Sequence, residues 1–413
     1  MNKSYVSKVF CAMIEGKFLK KSFNKIMTMF DNAIGRLSRN IFFGNAKVNP
    51  NKIFFMTFQG DYTCNPKYIT EEIIRQNLGY EIVWAVRLST LKRSYLLPPE
   101  IKLVDRYTFE YFKELATSKI WILNSVELFK KPIKKKKSQF LIETWHGSLG
   151  IKRFDKNANS GRSWVKAAQL CAYNTNYCIS NSDFENVVYK ETYWTNNNIL
   201  KYGHPRNDIL FLKGDDLKRR QTDIFSNLNI SNSCHYVLYA PTFRDSHKFN
   251  YYDINYELLI KTLEKRFGGK WKVLVRFHPT VRKESVNFLD SNTYLIDVTK
   301  YPDIQELMLI ADIGITDYSS WIYDYVLTRK PGFIFAEDIE EYNTERGFYY
   351  KLETTPFAIA RNNEELFDCI MNFDLSIYQN KVDKFLSNKG CIEDGKASYR
   401  VVEKIKEIMN YEK

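Results

Sequence analysis

Residues 314–331 combine residue types that suit an anion-binding turn. The stretch begins at the end of an apolar run and then carries Thr316, Asp317, Ser319 and Ser320 before apolar residues resume at helical spacing. This pattern predicts a strand, a tight turn and the start of a helix. Free backbone N–H groups and hydroxyls, with the positive end of a helix dipole behind them, suit a phosphate. An ordinary N-cap explains the same residue types, and the stretch taken alone favours the N-cap.

A histidine stands at the end of another predicted strand. His146 directly follows the strand-like residues 140–145, and Gly147 beside it leaves room for a close ligand. A histidine in this position can act as a general base near neutral pH. The alternative is a histidine that caps local backbone, and the tetrapeptide 144–147 alone favours this alternative.

Three further polar stretches follow predicted strands or lie in turns. Arg276 and His278 are two residues apart, so they lie on one side of an extended strand and can both reach a pyrophosphate oxygen. The strand that ends near residue 240 offers the Thr242 hydroxyl and the Arg244 guanidinium. A polar turn near the predicted hinge contains His204, Arg206, Asn207 and Asp208. Together these stretches favour a phosphate-binding cleft more strongly than any of them does alone.

Spacing argues against several other kinds of site. The five histidines show no HxH or HExxH pattern, so a metal site is not expected. The chain has neither a GxGxxG nor a GxxxxGK[ST] loop, which argues against a Rossmann dehydrogenase and a P-loop NTPase. The seven cysteines are scattered without CxxC spacing, which predicts reduced thiols rather than a zinc cluster or a disulfide framework.

The 413 residues predict two α/β domains. Predicted strands alternate with helices in both halves, which is typical of parallel sheets that bind ligands at the carboxyl ends of their strands. We predict a first domain over residues 46–205. We predict a second domain over residues 206–413, including the closing C-terminal helices.

Residues 1–45 predict a basic amphipathic helical segment. Apolar residues recur there at helical spacing with lysines and arginines between them, which suits an anionic membrane surface, although a helix packed on the first domain is an equal alternative. A basic run at residues 130–137 is a solvated loop or a loop that faces anionic groups. It lacks aromatic interleaving, so nucleic acid is not an expected partner. The net charge of +13 fits polyanionic partners without choosing among them.

Taken together, these motifs resemble the CDP-glycerol glycerophosphotransferases, the teichoic-acid primase and polymerase family. The matching stretches come in the family's order and cover residues 58–66, 144–147, 203–208, 238–244, 276–279, 316–324 and 338–348. The resemblance implies a GT-B arrangement, in which two Rossmann-like domains face a central cleft. It also implies that the N-terminal domain binds the acceptor and that the C-terminal domain binds the nucleotide donor. It does not determine the donor.

The resemblance also implies roles for individual residues. His146 would face the acceptor hydroxyl as general base, and His278 would contact the donor pyrophosphate; both are the predicted catalytic residues. The predicted donor-binding residues are Thr242, Arg244, Arg276, Asp317, Ser319, Ser320 and Asp324. The other candidate site residues are Gly147, His204, Arg206, Asn207, Asp208, Asp338 and Arg346.

The implied reaction moves glycerol phosphate from CDP-glycerol to a hydroxyl of a membrane-linked saccharide or polyol-phosphate polymer and releases CMP, in the synthesis of a teichoic acid or capsule-type polymer. Such a transfer needs positioning and charge neutralisation, so no cofactor is expected to be required, and a loosely bound Mg²⁺ is left open. The protein is expected in the cytoplasm, on the inner face of the cell membrane. The alternatives are the same chemistry with CDP-ribitol or another CDP-polyol, a GT-B glycosyltransferase that uses a nucleotide sugar, and a non-enzymatic membrane-surface scaffold.

Overall fold

The computed structural model describes residues 43–87, 97–130, 133–150, 152–153, 161–194, 197–242, 254–277, 293–340, 342 and 347–410. The predicted helical segment 1–45 lies outside these residues except at its last three positions. His278, Arg244 and Arg346 also lie outside them. The described part of the chain contains no helix that is long and apolar enough to cross a membrane. Its six cysteines are free thiols.

The first half of the chain builds a parallel sheet flanked by helices. Its strands are β1 (Asn49–Met56), β2 (Glu81–Val86), β3 (Ile101–Asp105), β4 (Ser118–Leu123), β5 (Phe140–Glu143), β6 (Tyr177–Ser180) and β7 (Asn198–Lys201). Its helices are α1 (Cys64–Arg75), α2 (Phe109–Thr117), α3 (Arg162–Asn174) and α4 (Asp183–Glu191), with 3-10 turns at Phe58–Gly60, Val126–Lys130 and Pro205–Phe211. The strand order is β3-β2-β1-β4-β5-β6-β7.

The second half builds a second parallel sheet. Its strands are β8 (His235–Tyr239), β9 (Trp271–Val275), β10 (Leu295–Asp297), β11 (Ile313–Thr316), β12 (Gly332–Phe335) and β13 (Ala358–Ala360). The helices of this half are α5 (Gly214–Leu228), α6 (Tyr256–Phe267), α7 (Ile304–Ile310), α8 (Trp321–Tyr325), α9 (Asn363–Met371), α10 (Leu375–Asn388) and α11 (Ala397–Asn410), with 3-10 turns at Val326–Thr328 and Leu352–Thr354. The strand order is β10-β9-β8-β11-β12-β13.

The central strands are apolar on both faces because helices cover both sides of each sheet. In β1, Phe54 packs into one core cluster and Phe55 into the cluster on the other face, and both are fully buried. Phe55 stacks on Trp84 of β2 at 5.4 Å between ring centroids. Near-continuous apolar strands are characteristic of parallel sheets that are buried on both faces. The predicted α/β class with parallel sheets is therefore confirmed.

Each sheet has a topological switch point, where strand order reverses and ligands of α/β proteins bind. In the first sheet it lies between β1 and β4, which lead into Phe58 and Asn124 at their carboxyl ends. In the second sheet it lies between β8 and β11, which lead into Thr242 and Asp317. The sheet topology therefore places polar strand ends of both halves where a ligand cleft is expected.

The last helix, α11, packs on the first sheet. Its buried residues Val401 and Ile405 belong to the same core cluster as Ile53 and Phe55 of β1. We predicted that the closing helices belong to the second domain, and the structure shows that α11 contacts the first sheet. An amphipathic stripe shows that a helix is packed, but not on which of two sheets it packs. The predicted boundary near residue 205 stays a prediction.

Candidate functional site

His146 lies in the turn after β5, at the first switch point. Its ring stacks on Phe58 with 5.3 Å between centroids and 5° between the ring planes. Its Nδ1 lies 2.7 Å from the backbone carbonyl oxygen of Asn124. Because a carbonyl oxygen can only accept, Nδ1 carries the proton, and Nε2 keeps its lone pair. His146 is an exposed residue.

The pKa of His146 is lowered from its ordinary value. Desolvation by the surrounding protein is the first cause. The positive charge of Arg206 also lowers the pKa, while the hydrogen bond to Asn124 and the charge of Glu127 oppose the shift. A lowered pKa keeps the imidazole neutral near pH 7, which is the form that a general base requires.

The backbone before His146 is held in an unusual conformation. Trp145 has a φ of 51°, and its N–H donates to the Glu143 carboxylate at 2.8 Å. The Asn65 amide donates to the carbonyls of Thr144 at 2.9 Å and Trp145 at 3.1 Å. A Cβ at Gly147 would lie 3.0 Å from Nε1 of the Trp145 indole. The indole therefore occupies the space that we expected Gly147 to leave for a ligand.

Arg206 and Asn207 of the predicted polar turn lie at the junction of the two domains. Arg206 Nε lies 2.9 Å from Asp324 Oδ2, and the two side chains are only 3% and 4% exposed. Arg206 Nη2 donates to the Gly147 carbonyl at 2.6 Å, and Asn207 Nδ2 donates to Asp324 Oδ1 at 3.1 Å. Asp324, a predicted donor-binding residue, lies in α8. Through Arg206 it links this helix to the loop that carries Gly147.

His204 and Asp208 of the same turn also have structural contacts. His204 is fully buried, with Nε2 2.9 Å from Glu185 Oε2 and its backbone N donating to Glu393 Oε1 at 3.0 Å. Asp208 accepts from the backbone N–H groups of Ala397 at 2.9 Å and Ser398 at 2.7 Å, and thereby caps α11. These contacts tie the turn to α4 and to residues 393–398, and the site roles of His204 and Asp208 stay predictions.

Asp317 connects the turn after β8 to the turn after β11, at the second switch point. Its carboxylate accepts from the Thr242 N–H at 2.8 and 3.0 Å and from the Tyr318 N–H at 2.5 Å. The Tyr318 hydroxyl in turn donates to Asp338 at 2.9 Å. Asp317 and Asp338, which we predicted as site residues, therefore position the neighbouring turns through these contacts.

Ser319 and Ser320 are half-buried at the end of this turn. Ser320 occupies the N-cap position of α8, but its side chain makes no capping hydrogen bond among the described residues. The simple N-cap explanation therefore does not account for the Ser320 hydroxyl. Because α8 spans only Trp321–Tyr325 before a 3-10 turn, its dipole is short. The phosphate contact of Ser319 and Ser320 stays a prediction.

Arg276 follows β9, the strand next to β8. Its Nη2 donates to the Tyr301 carbonyl at 3.3 Å, and within the described residues its Nε has no hydrogen-bond partner. Desolvation lowers the pKa of Arg276, against the opposing charges of Asp303 and Asp61. Because this Nε is buried, the contact of Arg276 with a donor phosphate stays a prediction.

Sequence reasoning assigned no role to several residues that organise the site. Asn124 ends a predicted strand, so the rule that selected His146 could have found it. Asn65 stands in a matching stretch but was given no function. Glu185 and Glu393 contact His204 from distant parts of the chain, and no local pattern marks them. Within the described ranges, no group of three His, Cys, Asp or Glu side chains could hold a metal ion.

Comparisons with known proteins agree with this architecture. The teichoic acid poly(glycerol phosphate) polymerase of Staphylococcus epidermidis is 30% identical over 85% of this chain, and the match spans 50% of that protein's length. The teichoic acid ribitol-phosphate polymerase TarL of Staphylococcus aureus is 27% identical over 93% of this chain and 66% of its own length. The chain thus spans half to two thirds of the length of these relatives.

A solved structure of a variant of the wall teichoic acid polymerase TagF, soaked with CDPG, superposes with a TM-score of 0.80. It is 26% identical, and the match covers 95% of this chain and 98% of that one. This likeness confirms the expected GT-B fold. The model of the CDP-glycerol:poly(glycerophosphate) glycerophosphotransferase family matches residues 39–407. With nearly the whole chain matched and both switch points carrying the expected motifs, the protein belongs to this glycerophosphotransferase family.

Proposed function

We propose that the protein transfers glycerol phosphate from CDP-glycerol to an acceptor hydroxyl and releases CMP. The observation that carries the proposal is the geometry of His146, an exposed residue whose Nδ1 is bound to a backbone carbonyl, so that Nε2 is the nitrogen left to accept a proton. Membership of the family and the CDPG soak of TagF support CDP-glycerol as the donor.

In the proposed step, the acceptor oxygen attacks the β-phosphorus of CDP-glycerol. The bond between the β-phosphorus and the bridging oxygen breaks, and CMP leaves with that oxygen. Nε2 of His146 takes the acceptor's proton. On the donor side, Thr242, Ser319, Ser320 and Arg276 are the described candidates to hold the phosphates, and His278 and Arg244 are predicted to lie beside them. In-line transfer of this kind depends mainly on positioning and on electrostatic stabilisation.

The test compares His146→Gln with His235→Gln, which replaces an exposed histidine on β8. Loss of a general base typically lowers the rate about 10²- to 10⁴-fold, so CMP release by His146→Gln should fall in this range while CDP-glycerol binding survives. The His235 variant should match the wild type. A large loss of CDP-glycerol affinity in His146→Gln would assign His146 to the donor site instead.

The main alternative is the same reaction with CDP-ribitol as the donor, because a ribitol-phosphate polymerase is also among the relatives. A panel of CDP-glycerol, CDP-ribitol and UDP-sugars, each offered with a lipid-linked acceptor, distinguishes the candidates by the nucleotide released. CMP from CDP-glycerol supports the proposal, and CMP from CDP-ribitol alone favours the alternative. Release of UDP or CDP would indicate a glycosyltransferase. We expect activity to persist in EDTA, and loss of activity that Mg²⁺ restores would contradict this expectation.

The proposed acceptor is a lipid-linked saccharide or polyol-phosphate chain at the inner face of the cell membrane. The net charge of +13 supports a location beside anionic lipid. Flotation with vesicles that contain phosphatidylglycerol tests this location, and a variant that lacks residues 1–40 tests the basic segment. The variant should lose vesicle binding and retain activity on a soluble acceptor. Undiminished vesicle binding would instead indicate that residues 130–137 bind the membrane.

A further inference from the structure

The chain that follows Gly147 crosses from the first domain to the second. Leu149 is fully buried in a core cluster that consists almost entirely of second-domain residues, and its carbonyl accepts from the Tyr350 hydroxyl. A Cβ at Gly150 would lie 3.1 Å from the Cβ of Ser320, so the chain passes directly over the predicted phosphate turn. We call Leu149, Gly150, Lys152 and Arg153 the interdomain clasp.

Backbone hydrogen bonds hold the far end of the interdomain clasp. Lys152 pairs with Phe348 in an isolated antiparallel bridge, and the Arg153 N–H donates to the Gly347 carbonyl at 3.1 Å. Arg153 Nε also donates to the Phe348 carbonyl at 3.1 Å. Pairing through the backbone fixes the direction in which the Lys152 side chain leaves the chain.

The Lys152 side chain points to the second switch point. Its ammonium nitrogen lies 3.2 Å from Thr242 Oγ1 and 5.6 Å from the ring centroid of Tyr342. Tyr342 stacks on Tyr318 with 4.1 Å between centroids, and the Thr242 backbone is bound by Asp317. A cation from the first domain therefore stands at the rim of the second-domain turns that are predicted to bind the donor.

We propose that Lys152 is a catalytic residue that binds a phosphate of the CDP-linked donor from the opposite domain. This inference rests on the proposed transferase function. Because the ammonium nitrogen lies 3.2 Å from Thr242 Oγ1, a phosphate oxygen bound at this turn can accept a charge-assisted hydrogen bond from Lys152. Breaking the bond to the bridging oxygen places additional negative charge on the departing CMP, which a nearby cation stabilises most in the transition state. The interdomain clasp thus adds a positive charge from the first domain to the donor site.

The experiment compares Lys152→Met, which keeps the length of the side chain without its charge, with the charge-retaining Lys152→Arg. Lys166→Met is the matched control because Lys166 is an exposed lysine of α3. Removal of one preorganised electrostatic contact typically lowers kcat about 10²- to 10³-fold. We expect a loss of this size in Lys152→Met, at least partial recovery in Lys152→Arg and none in Lys166→Met. Thermal unfolding checks that each variant is folded, and Lys152→Gln replaces the Met variant if it is not.

Titration with CMP and with cytidine separates phosphate binding from a structural role. Lys152→Met should weaken CMP binding about tenfold or more and leave cytidine binding within about twofold, as a single charge-assisted contact predicts. Equal losses for CMP and cytidine, or wild-type binding of both, would overturn the role of Lys152. If the wild type binds CMP but releases none from CDP-glycerol, the proposed function fails, and the CMP titration still decides the phosphate contact.

Discussion

The buried ion pair between Arg206 and Asp324 offers a quantitative test of the domain junction. The two groups are 2.9 Å apart, and almost no solvent reaches either side chain. With an effective dielectric constant of about 20, their attraction at this distance is about 6 kcal/mol. Removal of one partner loses this attraction while the other charge stays desolvated. We therefore expect Asp324→Ala to lower the free energy of unfolding by about 3–5 kcal/mol.

The double variant Arg206→Met/Asp324→Leu should be less destabilised than Asp324→Ala. It removes both charges, so no unpaired ion stays buried, and apolar side chains of similar length fill the space. The control is Arg219→Met, which breaks an ion pair with Asp216 whose side chains are 75% and 68% exposed, and which should leave the unfolding midpoint unchanged.

Urea unfolding followed by tryptophan fluorescence measures all three variants, because the transition midpoint and its slope together report the change in stability. Two results would refute the reasoning. The first is an Asp324→Ala midpoint no lower than that of Arg219→Met. The second is a double variant that is destabilised as much as Asp324→Ala or more, since a buried unpaired charge would then not be the source of the loss.

Three further predictions concern other parts of the structure. Ile405→Ala should cost about 2–5 kcal/mol of unfolding free energy, since Ile405 is fully buried against the first sheet; an unchanged urea midpoint would contradict the docking of α11. Arg206→Met should move the acid limb of the kcat/KM profile to higher pH, because the Arg206 charge lowers the pKa of His146. Burial raises the folded pKa of Glu393 to about 7 from 4.5, so its stabilising contribution is full below pH 4.5 and lost as the pH rises through 7. The melting temperature of the wild type should therefore fall as the pH rises through 7, and that of Glu393→Gln should fall less. An identical fall in both proteins would refute the assignment of this pH dependence to Glu393.

The sequence determined the class of fold and the strand ends that carry the candidate site. Runs such as those of β1 and β4 are buried on both faces, and this property is local to the strand, so sequence reasoning recognised parallel sheets. His146 was recognisable because a polar residue directly after a buried strand must lie at the edge of the sheet. The same rule selected Thr242 and Asp317 in the second half.

The tertiary structure decided what each candidate side chain contacts. Asp317 and Ser320 are similar turn residues in sequence, yet the Asp317 carboxylate binds backbone N–H groups while the Ser320 hydroxyl makes no capping bond among the described residues. Asp208 caps a helix that begins at residue 397, and Lys152 reaches Thr242 across the cleft. Such partners are distant in the chain and are brought together only by packing. The local sequence shows which polar groups need partners, but the packing of the two domains determines which residues these partners are.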